Sequence, residues 1–335
     1  MAMSQRGKGL ESIPAARNIA APWAILFAAV AIGVSGEVAA QGKTVVVLGT
    51  ATPGGGFPVY GAAYSSTINE MDPTLSVEPR NTKGSTENVP LLEVGKIDIG
   101  QVTGEVAYEA IAGIGRPPAD LRILNAMYSN PGMFVMRADS PYRTIVDLKG
   151  KAIAWGARGS GLVVLARYVL EGLDLDINKD FQAIYLDQAG DGPAMVLDGR
   201  AAALWGGGAG WPGFVAVANG PAGARFIAPG EDDIKRIVAK HAFLRPITLP
   251  AGTYAGQDAP VPSVGSWAFV LARPSLPDHV AYRIARALHK GEATLGSRLA
   301  QARESTLANT LAAAPRQDLI HPGVLRYMRD AGILR

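Results

Sequence analysis

Three glycine-rich stretches, at residues 50–61, 156–161 and 206–212, carry the residues best suited to hold a ligand. The first reads Thr50-Ala51-Thr52-Pro53-Gly54-Gly55-Gly56-Phe57-Pro58-Val59-Tyr60-Gly61. Glycine has no side chain to keep backbone away from a bound group, and the free N–H groups of a following helix favour an anion or polar head group. Neither nucleotide fingerprint is met. A phosphate-binding P-loop needs a lysine after its last glycine, and the dinucleotide motif needs a third glycine where Val59 stands. The stretch offers a small-ligand loop of open chemistry; taken alone, its glycines serve equally well to make a tight turn. In the second stretch Arg158 is a fixed cation beside free N–H groups. It suits a two-pronged bond to a carboxylate or, as readily, an ordinary place on the surface. Trp205 and Trp211 flank the third stretch and either wall an apolar pocket or belong to the core.

Acid–base and metal chemistry find less support. His241, His279, His289 and His321 are scattered without metal-ligand spacing, and neither His-Glu-x-x-His nor Gly-x-Ser-x-Gly occurs. Ser160 lies in Gly-Ser-Gly with no base nominated for it, and Asp232-Asp233 fits a solvated helix start. Cysteine is absent, which excludes disulfides, zinc–thiolate sites, thiol nucleophiles and a lipidated cysteine. The net charge is only +3 and no basic run is interleaved with aromatics, so nucleic acid is not an expected partner. The expectation is a binding protein without cofactor, metal or catalytic residues.

The elements that must position these residues alternate strand and helix. Residues 43–48 read as a strand buried on both faces, followed by the first glycine loop and a helix from Tyr60. Residues 75–79 and 97–102 read as further strands, with Ser85 capping the intervening helix and Pro90 leaving its boundary uncertain. Thr103, Gly104 and Glu105 follow at the tip of the third strand. In open parallel sheets, ligands bind outside the carboxyl ends of the strands, so such tips converge on one crevice. A change of register comes at Tyr128-Ser129-Asn130-Pro131-Gly132. The opening arrangement then repeats: Ala152-Ile153-Ala154-Trp155, a glycine loop, and a helix from Leu162. Residues 201–205 form a strand before the third glycine tip. A Gly- and Pro-rich loop at 250–264 returns to the first half, where residues 267–271 form a strand and helices from Pro277 close the fold. The class is α/β, with one lobe from 41–130 plus 265–335 and a second from 131–264. At 335 residues, 48% hydrophobic and 18% charged, each lobe can bury its own core. Residues 1–40 read as an export signal: Arg6, Lys8 and Arg17 precede an apolar core at 23–34 that is short for a membrane span, and Val38-Ala39-Ala40 supplies small residues for cleavage. The expected location is periplasmic.

Several segments together resemble the TAXI family of solute receptors, the binding subunits of one branch of TRAP transporters. They are Gly49-Thr50 through Gly54-Gly55-Gly56 to Gly61; Gly84-Ser85-Thr86-Glu87-Asn88 with Leu91-Leu92; and Gly95-Lys96-Ile97-Asp98-Ile99-Gly100. Asp147-Leu148-Lys149-Gly150-Lys151 before Gly159-Ser160-Gly161, then Tyr254-Ala255-Gly256-Gln257 and His321-Pro322-Gly323 with Tyr327, complete the ordered set. The resemblance implies a type II periplasmic-binding-protein fold, two α/β lobes joined by a hinge with the ligand cleft between them. It also implies delivery of a dicarboxylate or amino acid to a TRAP membrane permease. Thr103-Gly104-Glu105 stands where the family often has Gln-Ser-Asp, and Leu162 replaces a frequent hydroxyl, so a glutamate specificity is not carried over. The tryptophans point instead to a bulkier or more apolar acid. The residues expected to hold a small organic anion are Thr52, Gly55, Gly56, Phe57, Tyr60, Ser85, Asn88 and Thr103 from the first lobe. Arg158, Gly159, Ser160, Gly161, Trp205 and Trp211 are expected from the second. The same lobes would suit an ABC importer or a sensor kinase, and an exported enzyme on the same fold is the remaining class.

Overall fold

Short parallel strands end in glycine and hydroxyl tips, and helices start from those tips. The computed structural model describes residues 42–334, so the export signal expected at residues 1–40 lies outside the described residues. Thr44–Gly49 (β1), Leu75–Arg80 (β2) and Ile99–Thr103 (β3) run parallel in the order β2-β1-β3. Between and after them come Gly56–Met71 (α1), Ser85–Glu93 (α2) and Gly104–Ala112 (α3). Val46 and Leu48 of β1 are buried, but Val45 is exposed and Val47 half-buried. The strand is therefore covered on both faces only towards its glycine end, not throughout as its composition suggests. Ser85 is the first residue of α2 and not its cap; Gly84 holds the cap position, and the Ser85 hydroxyl is turned to the backbone N–H of Thr103. Pro90 lies inside the helix.

The chain then crosses to the second half in one strand, Arg122–Arg137 (β4). The change of register expected at 128–132 falls inside this one strand, as a change of pairing partner. β4 is paired with the last strand of the sheet as far as Pro131 and with a second-half strand from Gly132. Pro131 thus falls at the handover, where its missing N–H costs no ladder bond. Ala152–Ala157 (β5), Gly161–Gly172 (α4), Gln182–Leu186 (β6), Gly192–Leu197 (α5) and Ala203–Gly207 (β7) build the second half. Gly199 takes φ +82° just past α5, the left-handed position that ends a helix without a Cβ penalty. Pro212–Ala218 (α6), Ala224–Ile227 (β8), Glu231–Lys240 (α7) and Arg245–Leu249 (β9) follow. The return is again a strand, Val261–Ala272 (β10), so the loop expected over 250–264 ends earlier, and β10 pairs antiparallel with both β3 and β4. Asp278–Arg298 (α8), Leu307–Ala313 (α9) and Pro322–Asp330 (α10) close the fold over the first half. The sheet order is β2-β1-β3-β10-β4-β7-β5-β6, with β8 on β4 and β9 on β10.

Each half has its own core. In the first, Tyr60, Tyr64 and Ile68 of α1 pack with Ile284 and Leu288 of α8. Phe269, Val102 and Leu121 fill a second cluster of that half. In the second, Phe134 sits edge-on to Trp155 and Trp205, with ring centroids 5.5 and 4.8 Å away. Leu204, Phe214 and Val217 make a further cluster. A fully buried side chain of this size contributes about 1.5–3 kcal/mol by leaving water, so either half has the means to hold its shape while the other moves.

Candidate functional site

Four helices of nine residues or more point their N-termini at one cavity between the halves. The cap residues of α1, α2, α3 and α4 are Gly55, Gly84, Thr103 and Ser160, and all four line it. Helix N-termini carry the positive end of the backbone dipole and unpaired N–H groups, so the space favours negative charge. The cavity measures about 40 Å³, roughly the room of three water molecules.

The side chains continue the same bias. The Ser160 hydroxyl accepts from Leu162 N at 3.2 Å, Ser85 from Thr103 N at 3.1 Å and Thr52 from Ala189 N at 3.2 Å. In each, an oxygen lone pair is taken by the backbone, which leaves the O–H proton to donate elsewhere. Trp155 and Asn130 line the cavity at 0% and 3% exposure, and neither the indole Nε1 nor the amide Nδ2 has a protein partner. A buried donor left unpaired costs about 1–3 kcal/mol, which marks these two as groups built for something else. Lys83 is a lining residue, exposed, and makes no ion pair among the described residues. No Asp or Glu lines the cavity.

The halves meet around this space. Thr86 donates from its N–H and its hydroxyl to the Gly159 carbonyl, at 3.3 and 3.1 Å. Gly190 N donates to Pro53 O at 3.2 Å. Glycine is required at the seam by close approach: a Cβ on Gly159 would stand 2.5 Å from the Lys83 carbonyl oxygen, and one on Gly161 would collide with Thr103 Oγ1. Behind the seam Glu105 is wholly buried and accepts from the Ser266 hydroxyl. Burial pushes its carboxyl up to about 7, against the opposing pull of the Ser266 and Thr103 hydroxyls. Farther along, Glu109 of α3 is met by Arg167 and by the hydroxyl of Tyr168, both from α4.

The structure brings the first and second glycine loops to this one cavity. Thr52, Gly55, Gly56, Phe57, Ser85, Thr103, Ser160, Gly161, Trp205 and Trp211 of the expected residues line it. Four do not. Tyr60 is buried in the core and donates to Ser305 Oγ at 3.0 Å. Asn88 spends its amide on the carbonyls of Thr50 and Gln101, both at 2.8 Å, and so fixes the first loop to β3. Gly159 serves the seam. Arg158 turns outward, exposed, with its guanidinium 4.8 Å from the centroid of the Tyr185 ring; the side chain leaves the strand tip on the face away from the cavity. The cation nearest the site is Lys83, which sequence reasoning passed over although it directly precedes Gly84. Asn130 and Trp155 were also missed, one hidden in an apparent turn and the other at the apolar end of a strand. Trp205 is both wall and core, since its indole N–H donates to Leu162 O at 2.7 Å. Among the described residues no group of three His, Asp or Glu side chains gathers as a metal site.

A family model described as the NMT1-like family matches residues 48–332. Among solved structures, MatC from Rhodopseudomonas palustris with bound malate is similar over 85% of this chain and 98% of its own, at 12% identity and a TM-score of 0.55. A structure from Bordetella bronchiseptica RB50 covers 87% of this chain and 98% of its own, at 13% identity and a TM-score of 0.55. One described as a periplasmic transporter covers 78% and 87%, at 13% identity and a TM-score of 0.51. The fold is that of type II periplasmic binding proteins, with two α/β lobes, a hinge and a cleft between them.

Proposed function

The chain belongs to the NMT1-like family, and from that premise we propose that it is a periplasmic solute-binding protein. It captures a small organic anion, a carboxylate or amino acid, releases it unaltered, and delivers it to a TRAP-type membrane permease as a receptor of the TAXI branch. The lobes are residues 41–130 with 265–335, and residues 131–264; they close on the ligand about β4 and β10. The export signal is residues 1–40.

The observation that carries this reading is the convergence of four helix N-termini and unpaired donors on one cavity lined by no acidic side chain. Such a site stabilises an anion with preorganised dipoles and needs no acid or base. Closure follows from binding only if the anion prefers the closed form, and here the seam brings donors from both lobes around it. A micromolar affinity amounts to about 8 kcal/mol.

The test is calorimetry with a panel of carboxylates, amino acids, sulfonates and neutral analogues on the purified mature protein. One-to-one binding of an anion with no binding of its neutral amide is the expected result. Uniform indifference to charge refutes the reading. The partner is tested by reconstituting uptake with a candidate TRAP permease; transport that instead depends on ATP assigns the receptor to an ABC importer.

A further inference from the structure

No carboxylate lines the cavity, and the one lining side chain with a formal charge is the cation Lys83. Asn130 and Trp155 offer unpaired N–H donors, Ser85 and Ser160 offer hydroxyl protons, and Lys83 offers an ammonium. An amino acid brings a carboxylate, which these groups suit, and an α-ammonium, for which the lining holds no counter-charge. Burying that ammonium without a counter-charge, near the positive ends of helices, is costly. The nearest acid, Glu105, is not a lining residue; it is buried next to Thr103, with Oε2 held by Ser266 and Oε1 without a partner. The size of the space adds a second limit, because about 40 Å³ admits a short group and not a long side chain.

Resting on the anion-binding reading above, we propose that the ligand is a short carboxylic acid without an amino group, such as a 2-oxo or 2-hydroxy acid. Asn130 and Trp155 donate to its carboxylate, and Lys83 selects against a cationic substituent. The tryptophans from which a bulkier acid was expected, Trp205 and Trp211, both line the cavity; Trp205 is also held edge-on to Phe134 and Trp211 edge-on to Phe214, so on this proposal they bound the space and do not enlarge it.

The experiment compares matched sets in calorimetry and thermal shift: 2-oxo, 2-hydroxy and 2-amino acids of equal chain length, from two to six carbons. The expected result is at least tenfold tighter binding of the unaminated acid within a set, with the best affinity at the short end. Lys83→Met should lower affinity for the unaminated acids and narrow that gap. Equal or tighter binding of the amino acid overturns the proposal while leaving the anion-binding reading intact. So does amino-acid binding that is abolished by Glu105→Gln, since Glu105 would then be the counter-charge. A preference for the longest acids overturns the size limit. If no acid of any set binds and neutral solutes do, the anion-binding reading falls as well.

Discussion

From the first lobe the cavity receives Thr52, Ser85 and Thr103 with the starts of α1, α2 and α3; from the second it receives the indoles of Trp155, Trp205 and Trp211 around the start of α4. The first lobe is a set of donors on backbone tips, solvated when the cleft is open. The second is largely an apolar wall with two donors, Ser160 and the Trp155 indole. On the proposed function, closing the wall over the tips would remove water and lower the local dielectric, which would strengthen each donor's hold on an anion. That reading divides recognition and retention between the lobes, so that each can be disturbed separately.

The strongest way to break the division is to keep the lobes apart. Gly161→Ala places a methyl against Thr103 Oγ1 and Ser85 Oγ across the seam, at a helical position where alanine itself is well tolerated. Anion affinity should fall at least 100-fold in calorimetry, with circular dichroism and melting temperature near those of the wild type and a larger radius of gyration in X-ray scattering. Unchanged affinity would mean that the lobes do not meet as described.

Next in size is the acid behind the first-lobe tips. Burial raises the Glu105 carboxyl from its ordinary 4.5 to about 7. Between those values the native state holds a proton that the unfolded chain has lost. Stability is therefore complete below about pH 4.5 and declines as pH rises towards 7, by on the order of 3 kcal/mol. Glu105→Gln should flatten this slope in urea denaturation at a series of pH values. The same slope in the wild type and in Glu105→Gln would place the carboxyl in a solvated position.

Within the second-lobe wall, Trp155→Phe keeps most of the ring and removes the N–H. A hydrogen bond to a charged group contributes about 1.5–3 kcal/mol, so affinity should fall about tenfold or more, mainly through faster dissociation. A wild-type affinity would make Trp155 purely a packing residue. The smallest effect belongs to Arg158. Its guanidinium lies over Tyr185 outside the cavity, and Arg158→Ala should change affinity less than about twofold; a large loss would place the side chain back in the cleft.

Much of the architecture was legible because glycine and hydroxyl tips leave a plain mark between apolar runs. The first and second loops could be placed at strand ends, and Thr52, Ser85, Thr103 and Ser160 named, since backbone approach and helix starts demand those residue types. Side-chain direction was not legible. Arg158 and Lys83 are both cations beside a glycine tip, and only the backbone path decides that one turns out to Tyr185 while the other lines the cavity. Asn130 was hidden because Pro131-Gly132 has turn composition; the structure uses those residues where β4 changes partner, a long-range fact that no local pattern contains. Asn88 looked like a ligand group because nothing in its neighbours shows that two carbonyls, of Thr50 and Gln101, already occupy its amide.

Where the chain passes between lobes, β4 and β10 stay side by side, with Gly265 opposite Pro131 and Ser266 opposite Asn130. The joint is therefore a two-ply ribbon of paired strands and not a pair of slack tethers, and parting the lobes would have to flex that ribbon. Asn130 belongs to that ribbon and also reaches into the cavity. On the proposed function, an occupant held by its amide would pull on the flexing element itself, so arrival of cargo and stiffness of the joint would be felt by the same peptide.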